Sequence, residues 1–539
     1  MNSPLAASLS AELRTQHTTP ALVEAAARHY GDKPFIVDAE RQWSFQQLLL
    51  DVRALAADLI ASGFQAGDRA AIWAPNCGEW ILAALAPHYA GGTVVTLNTR
   101  YKGSEAAQVL RQSGASLLFV VAEFLNSDYP AMLANEDLGN VKQQILIGAN
   151  NQAAAHSSIQ ASVARGMTLL QQDSVAAGLE ARRAGVNPET VSDILFTSGT
   201  TGRAKGVITL HGQNLRTFAQ FADVLGLDDS DRYLIINPFF HSFGYKAGWL
   251  AALLSGATVY PLAIFDVPTV LERIARDQIT VMPGPPTLFQ SILNDPGLAN
   301  ADLSSLVKAT TGAASIPTQL IVDMFEVLGI RTVLSAYGLS ESCGLVSICR
   351  QGDAPETIAT TSGRAIPEIE LAIMNADGQQ LPAGESGEIV VRGYNVMAGY
   401  LDDPAATNET IDAHGWLHTG DIGNLDANGN LRITDRLKDM FICGGFNCYP
   451  AEIENQLLAH DDIAQVAVIG IADERMGEVG AAFIVSKPGA QLNSAELTAW
   501  SREHMANYKV PRKFIAVDSL PLNASGKVLK TELRARLAK

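Results

Sequence analysis

Short apolar runs and longer segments of helical period alternate along most of this chain. The runs at 69–74, 93–97, 116–121 and 144–148 are brief and almost free of charge, which predicts short buried strands. Between them, 44–62 and 77–90 carry the wider apolar spacing of helices. Strands alternating with helices over several hundred residues imply an α/β fold of layered, largely parallel sheets rather than an all-β or all-α chain. The longest apolar stretch, 247–265, is broken by Ser255, Gly256, Thr258 and Pro261. A membrane-spanning helix needs about 20 continuous apolar residues, so this stretch is expected in the core and no transmembrane segment is expected. No repeat period emerges. The segment 150–164, rich in Asn, Gln, Ala and Ser, is expected to be a surface loop or linker.

The pattern changes near Thr434. A Gly-Gly turn at 444–445, a helix over 450–459, buried strands at 465–471 and 481–486 and a helix over 494–505 make a small α+β unit. The expected organisation is a large N-terminal domain over 1–434, a hinge at 435–439 and a C-terminal domain over 440–539. Composition alone marks no boundary there, and its placement leans on the motifs described below.

Composition narrows the possible partners. At 539 residues, 47% hydrophobic and 18% charged, the chain has enough apolar material for a large core and is neither disordered nor a stapled small module. Its 39 Lys and Arg against 56 Asp and Glu leave a net charge of −17. That balance opposes nonspecific attraction to nucleic acid or an anionic membrane, so no nucleic-acid partner is expected and any phosphate must be held by local groups. The five cysteines, Cys77, Cys343, Cys349, Cys443 and Cys448, form no Cys-x-x-Cys pair, which argues against a disulfide framework or a zinc ribbon. Glu12 and Arg14 interrupt the first twenty residues, and no apolar core of signal-peptide type is present there. A cytoplasmic protein is expected, with homodimerisation left open.

The strongest local chemistry lies in Asp193-Ile-Leu-Phe-Thr-Ser-Gly-Thr-Thr-Gly-Arg-Ala-Lys-Gly-Val207, an apolar strand running into a loop of hydroxyls, glycines and one lysine. Gly199 and Gly202 let backbone amides turn inward, Thr197, Ser198, Thr200 and Thr201 offer hydroxyl donors, and Lys205 supplies a point charge. Such a loop suits phosphate oxygens. It is not a Walker A loop, because the lysine stands three residues after Gly202 and is followed by Gly206 rather than by Ser or Thr.

At this loop the sequence resembles the adenylate-forming superfamily of acyl-CoA synthetases, luciferases and peptide-synthetase adenylation domains. Further signatures follow in that superfamily's order: Tyr337-Gly338-Leu339-Ser340-Glu341, Trp416-Leu-His-Thr-Gly-Asp421, Asp435-Arg436-Leu-Lys-Asp-Met-Phe-Ile-Cys-Gly-Gly445 and Asn523-Ala-Ser-Gly-Lys527. The resemblance implies a multilayered N-terminal domain with parallel sheets and a β-barrel-like subdomain, plus a small mobile α+β C-terminal domain. It implies ATP, Mg²⁺, coenzyme A and a small-molecule carboxylic acid as reactants. The acid is first joined to the α-phosphate of ATP with release of pyrophosphate, and a thiol then attacks the acyl adenylate. By resemblance, Thr197 to Lys205 hold the β- and γ-phosphates, Thr197 and Glu341 ligate Mg²⁺, and Lys527 bridges carboxylate and phosphate oxygens. Asp421 accepts from the ribose hydroxyls and Arg436 supports the same end, while Gly312, Ala313 and Ala314 approach adenine beside Tyr337 and Gly338. Rotation at Lys438 would exchange Lys527 for the Gly444-Gly445 loop, which lines a pantetheine tunnel. Taken alone, Lys527 would be a surface lysine, Asp421 a turn residue before a strand, and the two glycines a hairpin turn. Ser340 stands where threonine is more usual, keeping the hydroxyl and losing a methyl, and Lys438 stands where many relatives carry aspartate.

Asn237-Pro-Phe-Phe-His-Ser-Phe-Gly-Tyr-Lys-Ala-Gly248 falls where the superfamily places its acid-binding wall. Phe240, His241 and Phe243 are expected to gate the pocket, His241 to contact the carboxylate or adenylate, and Gly244 and Gly248 to leave room for a bulky acyl group. This segment, with Val281-Met-Pro-Gly-Pro-Pro-Thr287 and Met440-Phe-Ile-Cys-Gly-Gly-Phe-Asn447, most resembles ligases of bacterial steroid catabolism that activate a bicyclic indane-propanoate. Medium- or long-chain fatty acids and aryl acids stay open, since a hydrophobic wall discriminates each methylene by only ~1–3 kcal/mol. A stand-alone adenylation enzyme that loads a carrier protein in trans, or a luciferase-like side activity, also stays open.

Overall fold

The computed structural model describes residues 12–39, 41–148, 157–197, 204–312, 316–436, 439–443, 446–448, 450–473, 476–490, 493–505, 507–523 and 528–537. Two large sheets dominate. In the first, the central strands Thr332–Tyr337, Lys308–Gly312, Val281–Pro283, Arg232–Ile235, Thr258–Pro261 and Pro34–Asp38 run parallel, with short antiparallel strands at both edges. In the second, Val191–Thr197, Thr93–Thr96, Arg69–Trp73, Leu117–Val121 and Gln143–Ile147 run parallel, and Lys205–Leu210 and Gly399–Tyr400 close one edge antiparallel. Strands buried on both faces carry continuous apolar runs, and Leu117–Val121 is buried at every position.

Helices fill the space against these sheets. Phe45–Ala61 begins where the Ser44 hydroxyl accepts from the Gln47 amide, and it buries Leu48, Val52, Leu55 and Leu59 on one stripe. Gly78–Tyr89 is buried all round, which explains its nearly continuous apolar sequence. One core spans both sheets, with Trp80, Phe239, Tyr245 and Trp249 in ring contact at its centre. The stretch 247–265 is buried through Pro261, and Ile264 and Phe265 emerge at the surface. Among the described residues no helix is long and apolar enough to cross a membrane.

The expected linker at 150–164 is corrected in part. Ser157–Ser158 adds an edge strand to the second sheet, and Ile159–Leu169 is a helix capped by the Ser158 hydroxyl. It packs along Phe45–Ala61, burying Ile159, Ser162 and Val163, and Arg165 forks onto Asp58 at 2.9 and 2.8 Å. The small residues that suggested a loop serve a close helix–helix approach.

The region expected to be barrel-like is a four-stranded antiparallel sheet, Ile369–Met374, Gly387–Gly393, Leu417–Leu425 and Leu431–Arg436, with apolar clusters on both faces. Beyond it, Phe446–Cys448, Phe441–Cys443, Gly477–Ser486 and Ile463–Asp473 form another sheet, to which Lys513–Ala516 adds a parallel strand. This sheet has apolar clusters of its own on its two faces, one around Phe441, Ile453, Val468 and Leu497 and one around Ala467, Phe483 and Leu533. Asp439 is held to the C-terminal helix Lys530–Leu537 by Arg534 at 3.0 Å.

Candidate active site

Val191–Thr197 and Lys205–Leu210 are the two strands that flank the hydroxyl-rich loop. Ser198, Gly199, Thr200, Thr201 and Gly202 lie outside the described residues. Thr197 and Lys205 face each other across the ladder, and the Thr197 hydroxyl donates to the Lys205 carbonyl at 3.4 Å. Lys205 therefore opens the return strand rather than sitting within the loop.

Behind the outgoing strand, Asp193 is fully buried. One carboxylate oxygen accepts from the Thr209 hydroxyl at 2.8 Å and pairs with the Lys246 ammonium at 2.9 Å, and the other accepts from the Asn214 amide at 2.6 Å. The side chains of Asp193 and Lys246 are 0% and 1% exposed, so the pair depends on these bonds to offset its desolvation. Beneath the same strand, His88 donates from Nε2 to the Ser192 carbonyl at 2.8 Å and meets the His211 ring edge-on at 4.8 Å between centroids. Burial pushes the His88 imidazole down to about 4 and lowers His211 as well.

The short strand Gly399–Tyr400 pairs with Lys205–Leu210 and brings Tyr400 opposite Val207. The Tyr400 hydroxyl donates to Glu341 Oε1 at 2.9 Å, and the Lys205 ammonium lies 4.8 Å from the centroid of the Tyr400 ring. Burial, then the neighbouring Glu341 charge, push the Tyr400 phenol well above its ordinary range, so it stays a donor. Glu341 sits in the single turn Ser340–Ser342 after the strand Thr332–Tyr337, and its backbone carbonyl accepts from the Met397 amide at 2.8 Å. The turn begins at Gly338, where a Cβ would fall onto the backbone of Gly344, so only glycine fits. The Ser340 carbonyl accepts from the Cys343 amide at 3.1 Å, closing the turn.

At the other end of this turn, the Tyr337 hydroxyl donates to Asp421 Oδ2 at 2.6 Å. Asp421 is 4% exposed and lies inside the strand Leu417–Leu425. Its backbone pairs with Arg436 across the ladder, next to an irregularity between Ile422 and Gly423. Glu388 accepts from the Gly420 amide at 3.0 Å and bonds His418 Nδ1 at 2.8 Å, which fixes the backbone just before Asp421. Gly312 ends the strand Lys308–Gly312 beside Ala336. Ala313, Ala314, Lys438, Gly444, Gly445 and Lys527 lie outside the described residues, as does the side chain of Arg436.

The segment expected to form the acid wall follows the strand Arg232–Ile235. His241 Nδ1 accepts from the Phe243 amide at 3.2 Å and so caps the turn Ser242–Gly244, a structural bond beside its expected contact role. Phe243 and the buried Phe239 pack on the core, and the Phe240 carbonyl accepts from the Thr96 hydroxyl at 2.8 Å. The expectation that Gly244 and Gly248 leave room for the acyl group is corrected. A Cβ at Gly244 would fall onto the carbonyls of Asn237 and Pro238, and one at Gly248 would lie 3.2 Å from the Ile235 side chain. Gly244 serves close backbone packing, and Gly248 faces the Ile235 side chain rather than open space. Gly248 breaks the helical dihedrals inside Tyr245–Leu250, a widened π-type turn.

The donor set offered to Mg²⁺, one carboxylate at Glu341 and the hydroxyl of Thr197, is hard and oxygen-only. Among the described residues no group of three or more His, Cys, Asp or Glu could hold a metal ion unaided. A set this sparse fits an ion bound mainly through nucleotide phosphates. Sequence reasoning missed Tyr400, Asn76 and Thr96, and it quoted Asp193 and Lys246 without a role. A buried acid and lysine in apolar surroundings were the one available signal, since such groups persist only when paired.

Two family patterns match the chain, AMP-binding enzyme over residues 23–401 and AMP-binding enzyme C-terminal domain over residues 452–527. A methyl-dioxo-octahydroindenyl-propanoyl CoA ligase of Rhodococcus jostii is 48% identical, covering 96% of this chain and 98% of that protein. The Mycobacterium tuberculosis ligase of the same name is also 48% identical, with 96% and 98% covered. Among solved structures, o-succinylbenzoate CoA synthetase from Bacillus subtilis, in complex with its acyl-adenylate intermediate, superposes with a TM-score of 0.76. It shares 28% identity and covers 95% of this chain and 97% of that one.

Proposed function

The chain belongs to the AMP-binding enzyme family and is an acid–CoA ligase, and from that premise we propose that its acid is a bulky bicyclic keto acid of the indane-propanoate type. ATP and CoA are the other reactants the family implies. The acid assignment is supported by the names of the two relatives at 48% identity. The chemistry is supported by two sets of contacts, one running from Lys205 through Tyr400 to Glu341 and one, four residues before Glu341, from Tyr337 to Asp421.

In this reading Lys205, at the mouth of the hydroxyl-rich loop, meets phosphate charge, and Asp421 orients the ribose with Tyr337 fixing its carboxylate. Tyr400 holds Glu341 in place for Mg²⁺, which when bound would offset the charge that builds up as pyrophosphate leaves. Thr197 supplies the second oxygen. Lys527 comes from the C-terminal domain, with the boundary at 435–439, and positions the acid carboxylate against the α-phosphate. Rotation at Lys438 then brings the Gly444-Gly445 loop to the thiol. A bulky acid fits an apolar wall whose width is set by Phe240 and Phe243, because the two glycines are committed to packing.

Pyrophosphate release with a panel of indane-propanoate, fatty and aryl acids, with and without CoA, tests the assignment. The bicyclic acid is expected to give the highest kcat/KM, and AMP and acyl-CoA should accumulate only when CoA is present. A fatty or aryl acid preferred tenfold would overturn the substrate, and no pyrophosphate release with any acid would overturn adenylation itself.

A further inference from the structure

The acid wall leaves the first sheet at Ile235 and has no regular structure until the turn Ser242–Gly244. A segment of that kind must satisfy its buried backbone groups elsewhere. Several of them converge on one side chain that follows a strand of the second sheet. Asn76, 7% exposed and just beyond the strand Arg69–Trp73, points its amide nitrogen at the carbonyls of Ile235 (3.3 Å), Ile236 (3.3 Å), Asn237 (2.9 Å) and Leu262 (3.2 Å). Its amide oxygen accepts from the Phe239 amide at 2.7 Å, which fixes the orientation of the group. One strand over, the hydroxyl of Thr96, 4% exposed, donates to the Phe240 carbonyl at 2.8 Å. One turn after Asn76, Trp80 meets the Phe239 ring at 5.5 Å.

Both residues stand at the C-terminal ends of parallel strands, and both grip the backbone of the wall rather than its side chains. We infer that Asn76 and Thr96 are positioning residues for acid binding, setting where Phe240, His241 and Phe243 stand relative to the nucleotide strands. The inference rests on the assignment of residues 237–248 to the acid pocket made above. The bonds act across two sheets, so their loss lets the wall shift while the Tyr337–Asp421 and Tyr400–Glu341 contacts, made by other elements, stay in place.

The test uses the full-length enzyme carrying Thr96→Val, Thr96→Ser or Asn76→Ala, with the acid that the wild type activates best. Thr96→Val removes one buried hydrogen bond at nearly constant volume and is expected to raise KM for the acid roughly fivefold to tenfold. KM for ATP should stay within about twofold, and Thr96→Ser, which keeps the hydroxyl, should restore the wild-type value. Asn76→Ala should act in the same direction and more strongly. Amide hydrogen exchange, which needs no substrate, should quicken over 236–241 in Thr96→Val and Asn76→Ala and stay unchanged over 332–337. Parallel rises in both KM values, a Thr96→Ser variant that behaves like Thr96→Val, or exchange that quickens uniformly would overturn the inference. A wild type that activates no acid would instead overturn the adenylation reading, with the exchange result still deciding whether the clamp holds the wall.

Discussion

On the side proposed to bind the nucleotide, side chains meet side chains: Tyr337 donates to Asp421 at 2.6 Å, Tyr400 to Glu341 at 2.9 Å, and Lys205 lies over the Tyr400 ring. On the acid side, the side chains of Asn76 and Thr96 grip carbonyls and an amide of residues 235–240. In the proposed reading, a carboxylate that meets a ribose or a metal ion cannot be exchanged without losing the contact, so that side is written in recognisable residues. A backbone clamp tolerates any wall sequence of the right conformation. The wall's side chains are then at liberty to vary with the acid while its position is kept, which separates specificity from catalysis on the two sides.

The largest expected effect sharpens that contrast from the nucleotide side. Lys527→Ala removes a point charge from the transferring phosphorus and should lower adenylation about 10²–10³-fold, whereas thioester formation from supplied acyl adenylate should change little. Single-turnover measurements of the two half-reactions check this, and equal losses in both would break the domain-alternation reading.

Asp193 and Lys246 tie the two sides together, one on the strand that feeds the phosphate loop and the other within the acid wall. Lys246→Met leaves a buried carboxylate without its cation and should cost about 3–5 kcal/mol of stability, read from the urea midpoint. Adding Asp193→Leu should recover most of that loss, since the desolvation of both charges disappears together. A single variant as stable as wild type would mean that the two sides are not braced through this pair.

How far each side was legible in the sequence follows the same division. The apolar runs located the parallel strands to within a residue or two because each is buried on both faces, as at Arg69–Trp73 and Leu117–Val121. Tyr337, Glu341 and Asp421 were found because they sit in consecutive motifs. Tyr400 was not, because its role arises from an edge pairing between residues nearly two hundred positions apart, Val207 and Tyr400. Asn76 and Thr96 were invisible for the same reason, and Gly244 and Gly248 were misread because a sequence does not say whether a missing Cβ faces a cavity, a carbonyl as at Gly244 or a side chain as at Gly248. The start of the helix Ile159–Leu169 was taken for part of a linker over 150–164 because Ala and Ser occur in helices as readily as in loops.

A pH-dependent effect belongs to the layer beneath the strand Val191–Thr197. His88 is held near 4 by burial and His211 is lowered too, so both are neutral in the folded protein at pH 7. The unfolded chain protonates them as pH falls below about 6.5 and so binds more protons than the folded chain. Their contribution to stability is therefore fully present above about pH 6.5 and is lost as pH falls toward 4, by up to about 1.4 kcal/mol per pH unit for each imidazole. Urea midpoints between pH 7 and pH 4.5 should show this slope, and His88→Gln should flatten it. An unchanged slope in that variant would place the acid sensitivity elsewhere.

The smallest effect is the most direct test of whether the two sides are separate. Tyr400→Phe removes the donor to Glu341 and keeps the ring beneath Lys205. A hydrogen bond to a charged group is worth ~1.5–3 kcal/mol when buried, and because Glu341 is only partly buried the lower end applies, about tenfold in the apparent affinity for ATP with Mg²⁺. Titrating Mg²⁺ at fixed ATP should show the same shift, because the carboxylate then holds its position less firmly for the ion. KM for the acid should not move, since Tyr400 bonds Glu341 whereas the segment 235–240 is held from Asn76 and Thr96. If Tyr400→Phe raised the acid KM as much as that for ATP, the cleft would be one coupled unit, and the division between a side held by side chains and a side held by backbone would fall.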